Sequence, residues 1–191
     1  MWIAKTQLKS VSPYSPSRNH NSPKKEKESH ADYEKRTWRE KAHFTDGGIV
    51  VIPQMAFKLC LEECAKYLSI QIKGKGKSTY TKHFTAGVLV TDPLPIGIKK
   101  DDLQENELFL PADGQRGGGK RVWKSFPIIH EWEGTVLWHI LDQTVTEEVF
   151  LYHIKQAGMF IGLGSFRPRN GGYFGRFEVV GHSWSEVETA M

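Results

Sequence analysis

Residues 161–180 decide the fold, and they read Ile-Gly-Leu-Gly-Ser-Phe-Arg-Pro-Arg-Asn-Gly-Gly-Tyr-Phe-Gly-Arg-Phe-Glu-Val-Val. Five glycines let this backbone approach another backbone closely, while its arginines can donate to phosphates and Tyr173 and Phe174 can offer ring faces to bases. The segment is not a dinucleotide-binding fingerprint, because Arg167 stands where the third glycine belongs and a strand rather than a helix follows. We interpret it as a phosphate-contacting loop before a last strand. The alternative is a hairpin-like connection with incidental arginines.

Outward from this loop, hydrophobic patterns give the order of the other elements. Strand patterns occur at residues 2–11, 48–52, 121–130, 135–141 and 173–180. Helix patterns occur at residues 53–69, which open on Pro53, and at 144–157, which open on a capping box from Thr144 to Glu147 and stop at Gly158. Apart from the short strand at 48–52, the order is strand, helix, strand, strand, helix, strand, which predicts an α+β fold with a ferredoxin-like, RRM-like βαββαβ core.

The chain length of 191 residues indicates one domain with insertions. We expect that domain over residues 1–182, with a tail at 183–191. One predicted insertion, at 13–47, is a Ser/Pro- and Lys-rich loop with a short helix near residues 33–41. The other, at 70–120, shows little strand signal beyond 87–90 and 108–110. These large insertions surround the first helix, and the core ends with the C-terminal Gly-rich loop.

Charge is unevenly distributed along the chain. The formal net charge is +4, and basic residues dominate residues 1–45, 64–91, 115–124 and 150–177, the last three stretches having no acid at all. Such a polarised surface is typical of a protein that binds a phosphate backbone. Any single basic stretch taken alone could equally be an ordinary solvated loop. No apolar run is long enough to span a membrane and no secretory leader is visible, so we expect a cytoplasmic protein.

Two local patterns point to structure rather than chemistry. Cys60 and Cys64 lie on the apolar stripe of the first predicted helix, with no second pair to complete a zinc site. Gly114 and Gly119-Lys120 resemble a P-loop, but Arg121 replaces the required Ser or Thr and a strand pattern follows. We therefore expect no metal and no cofactor.

Residues 161–180 resemble the Gly-rich loop that ends the RRM-like fold of the RAMP superfamily of CRISPR proteins: Gly-x-Gly, basic residues, Gly-aromatic-Gly-Arg and a strand. A second motif of the backbone subunits in that superfamily is an Ile-Pro dipeptide, small residues, a lysine and an amphipathic helix. Residues 52–58 are similar to it, with Gln54, Met55 and Ala56 in place of the usual Gly-Ser-Ser. The chain is shorter than most such subunits.

The resemblance implies a non-catalytic protein that binds single-stranded RNA, or DNA, by its backbone. It also implies self-association along the strand or association with other CRISPR-type subunits, without a membrane, in antiviral defence. The two insertions would be thumb- and finger-like excursions that grip the strand. The residues expected to contact nucleic acid are Arg18, Lys58, Arg116, Lys120, Arg121, Gly162, Gly164, Arg167, Arg169, Tyr173, Phe174 and Arg176.

Two other functions remain open at this stage. Some members of the superfamily cleave RNA, and His20, His30 and Asp32 in the first insertion are candidates for that chemistry as general base or carboxylate. No spacing fixes them as a catalytic set, so we assign no catalytic residue. The other possibility is a mobile-element protein that mimics or inhibits a CRISPR complex through protein–protein contacts.

Overall fold

The computed structural model describes residues 1–114, 117 and 119–187 of the chain. The strands are β1 (Trp2–Ser10), β2 (His43–Phe44), β3 (Ile49–Ile52), β4 (Val88–Val90), β5 (Leu94–Lys99), β6 (Gln104–Pro111), β7 (Arg121–Ile128), β8 (Glu133–Ile140) and β9 (Phe177–Glu186). The α-helices are α1 (His30–Thr37), α2 (Gln54–Leu68), α3 (Thr81–Gly87) and α4 (Glu147–Gln156). The predicted α+β fold class is confirmed.

A four-stranded antiparallel sheet in the order β4-β8-β1-β9 forms the centre of the fold. Burial alternates along β1, where Ala4, Thr6 and Leu8 are buried, so one face of the sheet is turned toward the core. Helices α2 and α4 cover that face: Phe57 and Phe150 both meet the ring of Trp138 edge-on, with centroids 6.5 and 5.4 Å away. Around this sheet the chain runs strand, helix, strand, strand, helix, strand.

The second strand of that order is β4, and the prediction that residues 121–130 fill this place is wrong. β7 pairs with β6 in a separate two-stranded hairpin, while β4 pairs with β8. A three-residue strand is too short to show a period, and alternation in β7 does not reveal its partner. Residues 70–120 thus contribute α3 and β4 to the core region, and β5 pairs with β3 in a three-stranded sheet.

The last strand also differs from its prediction. β9 begins at Phe177 rather than at 173 and continues to Glu186, so residues 183–186 belong to a strand and not to a tail. Trp184 explains the extension, because its ring stacks on Trp2 at 5.9 Å and lies 5.8 Å from Phe150. α4 is capped by the Thr146 hydroxyl, which accepts from the Val149 amide, and not by Thr144. Within the described residues, the helices are too short or too polar to cross a bilayer.

Candidate nucleic-acid interface

The Gly-rich loop between α4 and β9 is fastened to itself and to the segment that follows β1. The Leu163 amide donates to the Gly175 carbonyl at 2.9 Å, and the Gly175 amide donates to the Pro13 carbonyl at 2.7 Å. A Cβ added at Gly164 would lie 2.2 Å from the carbonyl oxygen of Ser15. One added at Gly162 would lie 2.6 Å from Cδ of Pro168. The close backbone approach that these glycines permit is therefore an approach to protein.

The two motifs of the sequence analysis face each other across an open cleft of about 520 Å³. One wall is the first two turns of α2, where Pro53, Ala56 and Leu59 line it. The other wall is the Gly-rich loop together with the segment after β1. The residues that complete the lining are Tyr14, Ser17, His43, Leu163, Gly164, Ser165, Phe166, Arg167 and Asn170. α2 begins here with no acidic residue in its first turn, so its positive end faces the cleft without local compensation.

Two of the predicted arginines share one carboxylate in a hollow beside this cleft, and Arg167 lines both the cleft and the hollow. Nη2 of Arg167 is 2.8 Å from Oε2 of Glu63, and Nε of Arg169 donates to Oε1 of the same residue at 3.1 Å. The Arg169 guanidinium also lies over the ring of Tyr67, 5.5 Å from its centroid. The sequence analysis missed Glu63, although its i, i+4 spacing from Leu59 on α2 could have placed it on the same helix face.

A further positive charge lies close to the opposite side of the cleft. Arg18 is exposed, and its backbone amide donates to the Lys41 carbonyl at 2.8 Å. Burial, and then the nearby charge of Arg18, lowers the pKa of His43 below its usual value. His43 is consequently neutral at physiological pH and gains a charge only in acid.

The aromatic pair expected to contact bases has two different environments. Tyr173 is 63% exposed, while Phe174 is half-buried with its ring edge-on to Phe166 at 6.0 Å. Arg176 supports the loop from below: its Nη1 donates to the Tyr173 carbonyl at 3.0 Å and its guanidinium lies over the Tyr173 ring. Of the two rings, that of Tyr173 is more exposed to solvent.

The predicted basic group near residue 120 lies on the β6–β7 hairpin. Arg121 donates to the Phe109 carbonyl and lies over the Phe109 ring, and Lys120 is exposed. Arg116 falls outside the described residues. The sequence analysis missed the exposed aromatic pair on this hairpin, Phe109 and Trp123, whose rings lie 5.2 Å apart. Trp123 is 60% exposed and lies two residues after Arg121 on β7, so the two share one face of the strand, which was a usable signal.

The hairpin approaches the Gly-rich loop along a second open groove. Lys124 and Phe126 line it from the hairpin side, and Phe166, Gly171 and Gly172 line it from the loop. Phe126 meets Phe166 edge-on with centroids 5.1 Å apart. The hairpin and the loop thus form adjacent walls of one continuous surface.

Lys58 lies away from the cleft. Its ammonium pairs with Glu62 and donates to the Thr85 carbonyl of α3 at 2.8 Å. The side chain is only 11% exposed. The structure therefore brings the Ile-Pro motif to the cleft through Pro53 and Ala56, without its lysine.

The candidates for cleavage chemistry make local contacts. Asp32 belongs to the cap of α1, where its Oδ2 accepts from the Ser29 hydroxyl at 2.6 Å and its amide donates back to that hydroxyl. His30 is exposed at the first position of the same helix. His20 contacts the Ser22 hydroxyl at 3.1 Å and stacks on Tyr33. Asp32 and His20 therefore have roles in local structure.

The two cysteines are core residues. The Cys64 thiol donates to the His153 carbonyl at 3.3 Å, and Cys60 lies 3.7 Å from the Ala157 carbonyl. Burial raises the pKa of Cys64 to about 12 and also raises the pKa of Cys60. No cluster of three or more His, Cys, Asp or Glu suited to a metal ion occurs in the part of the chain that the structure describes.

Comparison with known proteins gives one informative result. No family model and no curated protein matches the sequence, whereas 29 chains of solved structures match the fold. The crystal structure of Cmr6 from Pyrococcus furiosus covers 94% of this chain and 99% of its own, with a TM-score of 0.50 and 14% sequence identity. The chain has a Cmr6-like fold. Cmr6 is a RAMP protein, so the resemblance drawn from the two motifs is confirmed at the level of the fold.

Proposed function

We propose that this chain is a non-catalytic protein that binds the backbone of single-stranded nucleic acid, RNA in the first place, and assembles side by side along the strand. The observation that carries the proposal is the cleft at which the start of α2 meets the Gly-rich loop. Both RAMP-like motifs contribute to it, within a Cmr6-like fold. We assign the β4-β8-β1-β9 sheet and its two helices to an RRM-like core and the assembly to a CRISPR-type complex.

The phosphates follow a line of positive charge in this proposal. The positive end of α2 opens on the cleft, and amide groups of a helix start are suited to an anion. Arg167 stands on the loop side and Arg18 lies near the opposite side, beside His43. The exposed side chain of Lys120, on the neighbouring hairpin, extends the line beyond the Gly-rich loop.

The bases are held by stacking and not by a hydrogen-bond code. Tyr173 on the loop and Trp123 on the hairpin each present more than half of their surface to solvent. Ring faces accept any base, so binding is expected to be nearly independent of sequence. The residues of 13–47 and of the β6–β7 hairpin act as the walls that grip the strand.

We do not propose an endoribonuclease activity, because Asp32 is engaged in the cap of α1 and His20 contacts Ser22 and Tyr33. The inhibitor that works by protein–protein contacts becomes an outcome of the binding test. It predicts a protein that fails to bind RNA at low salt.

The experiment is fluorescence anisotropy with labelled oligouridylate RNA across about 50 to 200 mM salt, read for affinity and for the slope of log K against log salt. A slope of roughly −2 to −3 corresponds to three or four phosphates per protomer. Arg167→Ala should weaken binding to every sequence alike and flatten the slope by about 0.7. Binding that is lost for one base composition only, with the slope intact, contradicts backbone recognition.

Lys5→Ala is the matched control for that loss of one positive charge. Lys5 is exposed on β1 and neighbours Ala4, whose partner Trp138 packs against α2. Successive residues of a strand point to opposite faces, so Lys5 lies on the face of the sheet away from α2 and the cleft. Lys5→Ala should leave the salt slope within error of the native protein. A denaturing gel of the same samples checks that the RNA stays intact.

A further inference from the structure

Glu63 lies in a hollow beside the cleft that shares Leu59 and Arg167 with it, and both of its carboxylate oxygens are occupied. Oε2 is 2.8 Å from Arg167 and Oε1 is 3.1 Å from Arg169. The carboxylate is 30% exposed, and the arginine side chains are 25% and 46% exposed. The three groups therefore form a partly solvated cluster that a strand can reach.

A carboxylate held in this way offers arginine the same kind of negatively charged oxygen acceptors that a phosphate offers. Guanidinium groups recognise carboxylate and phosphate with the same planar donors, so the two anions compete for one position. With Glu63 in place, the cluster of Arg167, Arg169 and Glu63 carries a net charge of about +1 where the arginines alone would carry about +2. Screening by solvent makes each exposed pair weak enough to exchange.

The position of Arg169 fits such an exchange. Its guanidinium lies over the Tyr67 ring at 5.5 Å, and Tyr67 follows Glu63 by one turn of α2. Stacking on this ring holds Arg169 near the cleft when its hydrogen bond to the carboxylate is given up. The loop arginines can then turn to a phosphate without losing all of their support.

We propose that Glu63 is an internal competitor for phosphate, which occupies Arg167 and Arg169 in the free protein and limits how tightly the Gly-rich loop binds a strand. This inference rests on the proposed function. It makes Glu63 a specificity-determining residue that favours long polyanions, because only a strand contacting several sites at once displaces the carboxylate efficiently.

The neighbouring residue supplies a matched control. Glu62 lines the same hollow as Glu63, but its carboxylate pairs with Lys58 and not with the loop arginines. Glu62→Gln and Glu63→Gln each remove one negative charge from α2, so a general effect of net charge would change both variants alike. An effect confined to Glu63→Gln belongs to the loop arginines.

The test measures binding of labelled oligouridylate RNA by the native protein, Glu63→Gln, Glu63→Asp and Glu62→Gln. Glu63→Gln should bind about three- to tenfold more tightly at about 0.1 M salt, with a log–log salt slope steeper by about 0.7. Glu62→Gln should stay within about twofold of the native protein. Glu63→Asp, which keeps the charge on a shorter side chain, should fall between the native protein and Glu63→Gln. Thermal melting of each variant confirms that the fold is retained.

The outcomes separate the two proposals. If the native protein binds RNA and Glu63→Gln binds equally or more weakly, Glu63 positions the arginines and the competitor proposal is overturned, while the proposed function stands. If only Glu63→Gln binds, competition is supported and the proposed function fails for the native sequence. If neither binds at low salt, both are overturned. Equal tightening in Glu62→Gln also overturns the competitor, because it reports net charge alone.

Discussion

Two glycine- and arginine-rich stretches of this chain look alike in sequence and are built differently. In the Gly-rich loop, a Cβ at Gly172 would lie 1.8 Å from the Phe166 carbonyl oxygen, and one at Gly175 would lie 2.0 Å from the Leu163 carbonyl oxygen. At the tip of the β6–β7 hairpin, a Cβ at Gly114 or Gly119 would meet nothing within 4 Å. Glycine is thus required for close packing in the first stretch and provides only conformational freedom in the second.

The basic residues differ in the same sense. Arg167 and Arg169 pair with a carboxylate, whereas Arg121 and Lys124 of the hairpin donate to the carbonyl oxygens of Phe109 and Ala112. A carbonyl carries no net charge, so these two contacts leave the charges of Arg121 and Lys124 in place, on a hairpin that also carries Glu105, Glu107 and Asp113. The loop is a closely packed and partly neutralised site, and the hairpin is an open wall that carries both basic and acidic residues.

The largest expected effect comes from placing a methyl group in each stretch. Gly172→Ala should lower the free energy of unfolding by about 2–4 kcal/mol, since the new methyl collides with backbone that cannot move independently. Gly119→Ala should change it by no more than about 0.5 kcal/mol. Urea denaturation of both variants measures the difference. Equal stabilities would mean that the loop is as loosely packed as the hairpin tip.

Removing the exposed ring of Trp123 from the hairpin should weaken RNA binding without changing the free energy of unfolding. Trp123→Ala should weaken binding to oligouridylate by about 1–3 kcal/mol through lost stacking, with little change in the salt slope. Tyr152→Ala is the matched control, because Tyr152 is an exposed aromatic residue of α4 outside the cleft and the groove. Equal losses in both variants would contradict the role of the hairpin as a wall of the site.

The difference between the two stretches also shows what the sequence could reveal. The Gly-rich loop was identifiable because its glycines, arginines and aromatic residues recur in a known order. The period of β1 and of α2 was equally readable, since each buries one face. The pairing of β7 with β6 was not, because alternation in a strand does not specify its partner. The helix face of Glu63 could be predicted from its spacing to Leu59, but its pairing with Arg167 could not, because that partner lies 104 positions away along the chain.

The pH dependence tests the cleft by itself, because His43 lines it. Burial and the charge of Arg18 lower the pKa of His43, so the unfolded chain binds its proton more readily than the folded one. The free energy of unfolding therefore decreases as the pH falls from the pKa of His43 in the unfolded chain toward its lower pKa in the folded protein. Once protonated, His43 adds positive charge to the cleft and should strengthen RNA binding about two- to threefold. His43→Gln should abolish the change in RNA binding and lessen the loss of stability, to which His153 also contributes because burial lowers its pKa as well. Urea titrations and anisotropy at about pH 7.5 and 5.5 measure the two quantities.

The smallest effect is expected from a substitution of Lys58. It tests whether the lysine of the Ile-Pro motif contacts nucleic acid in this protein. Lys58 and Glu62 share one face of α2, while Leu59 and Glu63 share another, rotated by about 100°. Lys58 is held by Glu62 and by the Thr85 carbonyl of α3, so its charge is already compensated.

Lys58→Gln should therefore leave RNA affinity within about twofold of the native value and the salt slope unchanged, although Arg167→Ala removes the same charge and flattens the slope. If Lys58→Gln flattens the slope as much as Arg167→Ala does, the lysine leaves its ion pair to reach the strand. The two faces of α2 would then act together, because releasing Lys58 would free Glu62 next to the Glu63 cluster. In that event the double variant with Glu63→Gln should show non-additive affinities.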